Sequence, residues 1–152
     1  MSSLSSTVYN EMSDFFSQMI HSEHFNVGLW SLKKKQSISE AQNHLVSSFL
    51  SFSQLDPSLN LLDVGCGSGE LLAFCSQNYS IRFGLGLDHS GKLIERAKKK
   101  NASSSSLSFL EDDIFCLKNY SHYFDRIFAL EVAYHFLDKK QLFEFLKQKL
   151  AD

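Results

Sequence analysis

Five residues, Gly65-Cys66-Gly67-Ser68-Gly69, stand between an apolar run, Leu59–Val64, and a helical pattern that begins at Glu70. Glycine at alternate positions permits positive φ and strips the backbone of Cβ atoms, as a sharp turn from strand into helix requires. Such a turn commits its neighbours to a buried strand before it and a helix after it, with Leu71, Phe74 and Cys75 on one side of a helix over Glu70–Tyr79. The alternation then repeats. Ile81–Leu87 reads as a second strand, and Gly91–Lys100 as a helix carrying Leu93, Ile94 and Ala97. Leu107–Leu110 and Phe124–Val132 read as third and fourth strands. A last helix over Lys139–Leu150 buries Leu142, Phe145 and Leu146, opened by Asp138 as cap with Gln141 three residues on. Continuous apolar strands alternating with helices predict a parallel sheet covered on both faces, an α/β fold.

The first third is different. Val8, Met12, Phe15 and Met19 fall on one helical face, and so do Ala41, Leu45, Phe49 and Phe52. Ser39 and Gln42 form a candidate capping box for the second of these helices. Between them lie His24-Phe25-Asn26-Val27-Gly28-Leu29-Trp30 and the solvated run Lys33-Lys34-Lys35. The only proline, Pro57, marks the change of pattern, so residues 1–56 are expected to form a helical cap on a domain spanning 57–152. Ser103–Ser106 reads as a surface loop, and Lys98-Lys99-Lys100 as a solvated helix end. The chain's 152 residues, 43% of them hydrophobic, suffice for one core, and a net charge of −2 argues against a nucleic-acid or anionic-membrane surface. No apolar run approaches the ~18 residues of a membrane span, and the N-terminus lacks the pattern of a secretory signal. Cys66, Cys75 and Cys116, an odd number without CxxC spacing, read as reduced thiols of a cytoplasmic protein with no metal site.

The glycine turn lies where open α/β sheets bind ligands, and Asp88 ends the second strand beside it. An acid at that place accepts hydrogen bonds from both hydroxyls of a ribose, which points to a nucleoside-bearing cofactor. A dinucleotide fingerprint, G-x-G-x-x-G, would need glycine at position 70, where a glutamate stands and would repel a pyrophosphate. Asp63, two residues before the turn, can instead meet the amino group of an amino-acid moiety, or serve as a structural acceptor for loop amides. The chemistry favours S-adenosylmethionine over NAD.

At these residues the sequence resembles class I S-adenosylmethionine-dependent methyltransferases of the small-molecule branch. LLDVGCGSG resembles their first motif, GLDHSGKLIERAKKK the second, with Ser90 opening the helix, and FLEDDIFCL the third-strand motif. FDRIFALEVAYHF resembles their fourth strand, and more loosely HFNVGLW with SISEAQ resembles the cap that closes over the cofactor. The resemblance spans residues 59–150 and implies a Rossmann-like sheet of order 3-2-1-4. It implies a cofactor site of Asp63, Gly65, Cys66, Gly67, Gly69, Asp88, His89, Asp113 and Ile114, with Tyr9, Trp30 and Gln42 from the cap. Asp113 and Ile114 would flank the adenine, although Asp112 stands ready to take the acid's part; Cys66 is a small packed side chain and no nucleophile. Glu131 would touch cofactor or acceptor, and His135, just past the fourth strand, would take a proton from a hydroxyl or else only shape the pocket.

Family members continue past the last helix with a turn, a fifth strand, a helix and a hairpin, whereas here the sequence stops at Asp152. The expectation is a sheet without its later strands, whose fourth strand offers an unpaired edge to a second chain, a copy or a complementing subunit. Truncation, a split enzyme and a dimer all fit. The expected activity is methyl transfer to a small-molecule acceptor in a completed assembly, with weak or no turnover by one chain alone. The alternatives are a non-catalytic cofactor-binding subunit and an NAD-type oxidoreductase.

Overall fold

The computed structural model describes residues 26–120 and 123–151, with Glu11 besides. The helix expected around Val8–Met19, and Tyr9 with it, lies outside the described residues. The elements in order are α1 (Ile38–Phe52), β1 (Asn60–Val64), α2 (Glu70–Tyr79), β2 (Phe83–Asp88), α3 (Gly91–Lys100), β3 (Leu107–Glu111), β4 (Arg126–Phe128) and α4 (Lys139–Lys147). Short 3-10 turns cover Ile114–Asn119 and Ala133–His135. The sheet is parallel in the order β3-β2-β1-β4.

Side-chain alternation along the strands divides the core into two layers. On one face Leu61, Phe109 and Phe128 pack with Val46 and Leu50 of α1, Leu71, Leu72 and Cys75 of α2, and Ile94 and Ala97 of α3. On the other, Leu62, Val64, Leu85 and Leu87 pack with Ile114, Leu117, Val132, Phe136, and Leu142 and Leu146 of α4. Leu61 and Leu62, adjacent in sequence and fully buried on opposite faces, each contribute about 1.5–3 kcal/mol of transfer free energy. Because α1 shares its core layer with α2 and α3, this helix is packed into the same unit as the sheet.

Three expectations are corrected. The capping box of α1 is Ser37 with Glu40, not Ser39 with Gln42: the Glu40 carboxylate accepts from Ser37 N (2.7 Å) while Ser37 Oγ accepts from Glu40 N (3.3 Å). Gln42 is withdrawn from that role because its side chain is buried, 1% exposed. The fourth strand covers only Arg126–Phe128 of the expected Phe124–Val132, because the chain turns at Glu131, whose φ is +56°. Finally, the last helix is shorter than expected; among the described residues β4 pairs with β1 only, and its outer side is bridged at Phe124, just before the strand. α4 ends at Lys147, short of the expected Leu150, and the chain then lies parallel to Phe124, with Phe124 N donating to Lys149 O (2.9 Å) and Ala151 N to Phe124 O (3.0 Å). Asp138 caps α4 as expected, accepting from Gln141 N at 2.8 Å.

Candidate functional site

The glycine turn joins the C-terminal end of β1 to α2, at the edge of the sheet where the parallel strands end. Gly65 N and Cys66 N both donate to Leu87 O (2.7 and 3.0 Å), which stitches the turn to the end of β2. Gly65 sits at φ +71°, and a Cβ there would run into the Val132 side chain. Gly69, at φ +83°, forms the N-cap of α2, and a Cβ on it would press into the Phe109 ring at 2.7 Å. At these two positions protein fills the space a Cβ would take. What Gly65 and Gly69 give the turn is therefore backbone direction, with no added room.

Asp88 holds the turn open. One oxygen accepts from Gly67 N and the other from Ser90 N, both at 2.9 Å. A carboxylate has about four acceptor sites, so lone pairs remain for further donors. Ser90, as expected, opens α3 by accepting from Leu93 N at 3.3 Å. Cys66 packs its sulfur against Gly86, where a Cβ would meet it at 2.7 Å. Burial, then the charges of Asp63 and Asp88, hold the Cys66 thiol well above its usual range, which disfavours the thiolate.

Asp63 is the group whose situation calls for a partner. It projects from β1 between Leu62 and Val64 and is 3% exposed. Burial first, and then the nearby charges of Asp88 and Glu70, push its carboxyl up to about 8. A carboxylate buried to this extent is costly unless a cation or donor meets it. Glu70, also raised by burial, is already engaged: Ser68 Oγ donates to it at 2.7 Å, and Lys100 Nζ reaches it at 2.6 Å. Lys98, Lys99 and Lys100 are all exposed, as expected of a solvated helix end, and Lys100 is in addition tied across to α2.

Beyond Asp88, His89 Nε2 lies 3.2 Å from Asp113 Oδ2, and Asp113 Oδ1 accepts from Phe115 N (2.9 Å) as the cap of the 3-10 turn. Asp112 accepts from Asp113 N at 2.7 Å, and Ile114 is buried in the core below. On the other side, after β4, Glu131 accepts from Val27 N (2.9 Å), and the half-buried His135 ring sits 4.3 Å from Tyr134. Trp30 and Gln42 both bind the strap 26–30: Trp30 Nε1 donates to Val27 O (2.9 Å) and Gln42 Nε2 to Asn26 O (2.8 Å).

Sequence reasoning missed Val132 as the side chain that fits against Gly65, Lys100 as the partner of Glu70, and Gly86 as the seat of Cys66. The glycines themselves were the available signal for the first and third, since a glycine inside an apolar strand often marks a close approach.

Residues 61–151 match the family profile described as Methyltransferase domain. Over 100 residues the chain is 32% identical to a sterol 24-C-methyltransferase, erg6, of Aspergillus fumigatus, an alignment covering 59% of this chain and 25% of that protein. Among solved structures it is similar to the mycolic acid cyclopropane synthase CmaA1 complexed with SAH and CTAB, at TM-score 0.82 and 21% identity, covering 97% of this chain and 53% of that one. It is also similar to the [4+2]-cyclase SpnF, at TM-score 0.85 and 19% identity, covering 96% and 55%. The chain therefore spans about a quarter of the curated relative and about half of each solved chain.

Proposed function

This chain belongs to the methyltransferase-domain family, and on that premise we propose that it binds S-adenosylmethionine in the crevice around the glycine turn and passes the methyl group to a small-molecule acceptor. When bound, that cofactor supplies a methyl carried on a sulfonium, which is already a good leaving group. The protein's own task is then alignment. The Asp63 carboxylate answers the α-ammonium, while the backbone of Gly65, Cys66, Gly67 and Gly69 lines the amino-acid end. Asp88 adds ribose hydroxyls to the two N–H groups it already accepts. His89, Asp113 and Ile114 border the adenine. Residues 1–56 act as a lid over the domain 57–152, Trp30 and Gln42 by shaping its strap and Tyr9 by contact with the cofactor.

The observation that carries this reading is Asp63, a carboxyl buried near the end of β1, two residues before the glycine turn, and raised by that burial and by the nearby Asp88 carboxylate. The cofactor's presence in a related fold supports it, since CmaA1 was solved with SAH. The acceptor is apolar on this reading: the named relatives act on a sterol and on mycolic acid, and Val27, Trp30, Tyr134 and Leu137 are exposed on the strap and on the turn after β4. His135 takes the proton of an acceptor hydroxyl, and His135→Ala is expected to keep cofactor affinity while slowing turnover. The free cysteines agree with work in the reducing cytoplasm. Labelled methyl transfer from S-adenosylmethionine to a panel of sterols, fatty acids and polar metabolites tests the reading. Label in an apolar product supports it, and label in none of them sinks the enzymatic part.

A second reading has an observation of its own. Among the described residues β4 pairs along Arg126–Phe128 with β1 only, and Leu150 bridges its outer side at Phe124 alone. A second polypeptide, a copy or a complementing subunit, pairs with that edge, and the chain then works as the cofactor-binding part of a split methyltransferase. Cofactor binding without transfer by the lone chain, with transfer restored on adding a partner, favours this version.

A further inference from the structure

The strap 26–30 has its polar groups taken up mostly by α1. Gln42 Nε2 donates to Asn26 O (2.8 Å), Leu29 N donates to Ala41 O (2.7 Å), and His44 Nδ1 lies 3.0 Å from Leu29 O. Among the described residues a single hydrogen bond crosses from the strap to the sheet side of the crevice: Val27 N donates to Glu131 Oε2 at 2.9 Å. Glu131 is an unusual residue for its place. Its φ of +56° lies in the left-handed region, where glycine or asparagine sits with less strain and a long side chain needs a compensating contact. The next residue, Val132, occupies the space that glycine leaves open at position 65. One turn of chain therefore touches the strap with one side chain and the glycine turn with the next.

We propose that Glu131 is a positioning residue that latches the strap: its left-handed backbone delivers the carboxylate to Val27 N–H while seating Val132 on Gly65, so that opening of the strap and release of the bound cofactor are coupled through this bond. This assigns Glu131 a role through the strap instead of contact with cofactor or acceptor. The coupling to release rests on the S-adenosylmethionine reading of the crevice; the latch itself does not.

Two measurements on the whole chain separate these. The first is hydrogen exchange at the Val27 amide without ligand, in wild type, Glu131→Ala, Glu131→Gly and Glu131→Gln. The second is the rate at which S-adenosylhomocysteine leaves the same proteins on displacement. Losing one such hydrogen bond changes an equilibrium by roughly threefold to tenfold. Glu131→Ala and Glu131→Gly are expected to exchange Val27 and to release the ligand faster by about that factor, whereas Glu131→Gln, whose amide oxygen still accepts, stays within about twofold of wild type. Glu131→Gly removes the backbone strain, so its melting temperature holds or rises even as retention falls, which a merely structural role would not produce. Unchanged Val27 exchange in the alanine and glycine variants, or failure of glutamine to restore the wild-type values, overturns the latch. Faster exchange with unchanged release overturns the coupling. Absence of ligand binding by wild type overturns the cofactor reading, and the exchange data still decide the latch.

Discussion

Asp63 is held neutral by its surroundings well into the neutral range. In the unfolded chain an aspartate loses its proton near 3.9, whereas in the fold it keeps it to about 8. The folded state therefore binds the extra proton between those values, and stability falls as pH rises through that window and levels off above it. Glu70 and Asp88, both raised chiefly by burial, act in the same direction. Asp63→Asn should gain on wild type in thermal melts as pH goes from 5 to 8, and differ little near pH 4. Ligand binding carries the opposite sign, because an ammonium pairs with the carboxylate and not with the acid. Affinity for S-adenosylhomocysteine should climb toward pH 8, by up to about tenfold per pH unit, with proton release visible as a buffer-dependent heat in calorimetry. In Asp63→Asn the climb should flatten and the affinity drop. Gly65 makes a second residue-scale case. Gly65→Ala combines a positive φ with a collision on Val132 and should cost on the order of 2 kcal/mol in urea unfolding. Trimming the obstacle in Gly65→Ala/Val132→Ala should cost less than the sum of the single changes. Asp63 and the three glycines were readable from one short stretch of sequence because chemistry and spacing coincide there. Val132 was not, because its fit to Gly65 is a contact between segments far apart in the chain.

At the scale of elements, the limits of α2 and α3 are those read from the sequence, because local signals fix both ends. Gly69 and Ser90 open them, and Ser80 and Asn101 close them. Where two local signals competed, pattern alone could not choose. Ser37-Glu40 and Ser39-Gln42 both fit a capping box, and the first wins because Gln42 is buried and spends its amide on the strap. The consequence is measurable: Ser37→Ala should destabilise the protein by about 1 kcal/mol, and Ser39→Ala by less than about half that. The fourth strand was overestimated for a related reason. Its apolar run continues to Val132, but that valine serves the glycine turn, so the chain leaves the sheet after Phe128 to deliver it. Apolar character told that these residues are buried and could not tell against what.

For the molecule as a whole, the strand order 3-2-1-4 came from resemblance and not from periodicity, which is blind to how strands are arranged. That order brings the ends of β1, β2 and β3, with Asp63, Asp88 and Asp113, around one turn, so that carboxylates dominate the crevice. A nucleoside that brings its own positive charge suits this place, and a diphosphate does not. Because a [4+2]-cyclase shares the fold, overall shape does not decide the chemistry. Calorimetric titration at pH 8 with S-adenosylhomocysteine and, separately, with NADH tests the claim most directly. A saturable heat with the first, greatly weakened in Asp63→Asn and Asp88→Ala, and none with the second, is the predicted result. No heat with S-adenosylhomocysteine, or equal binding of NADH, would contradict it.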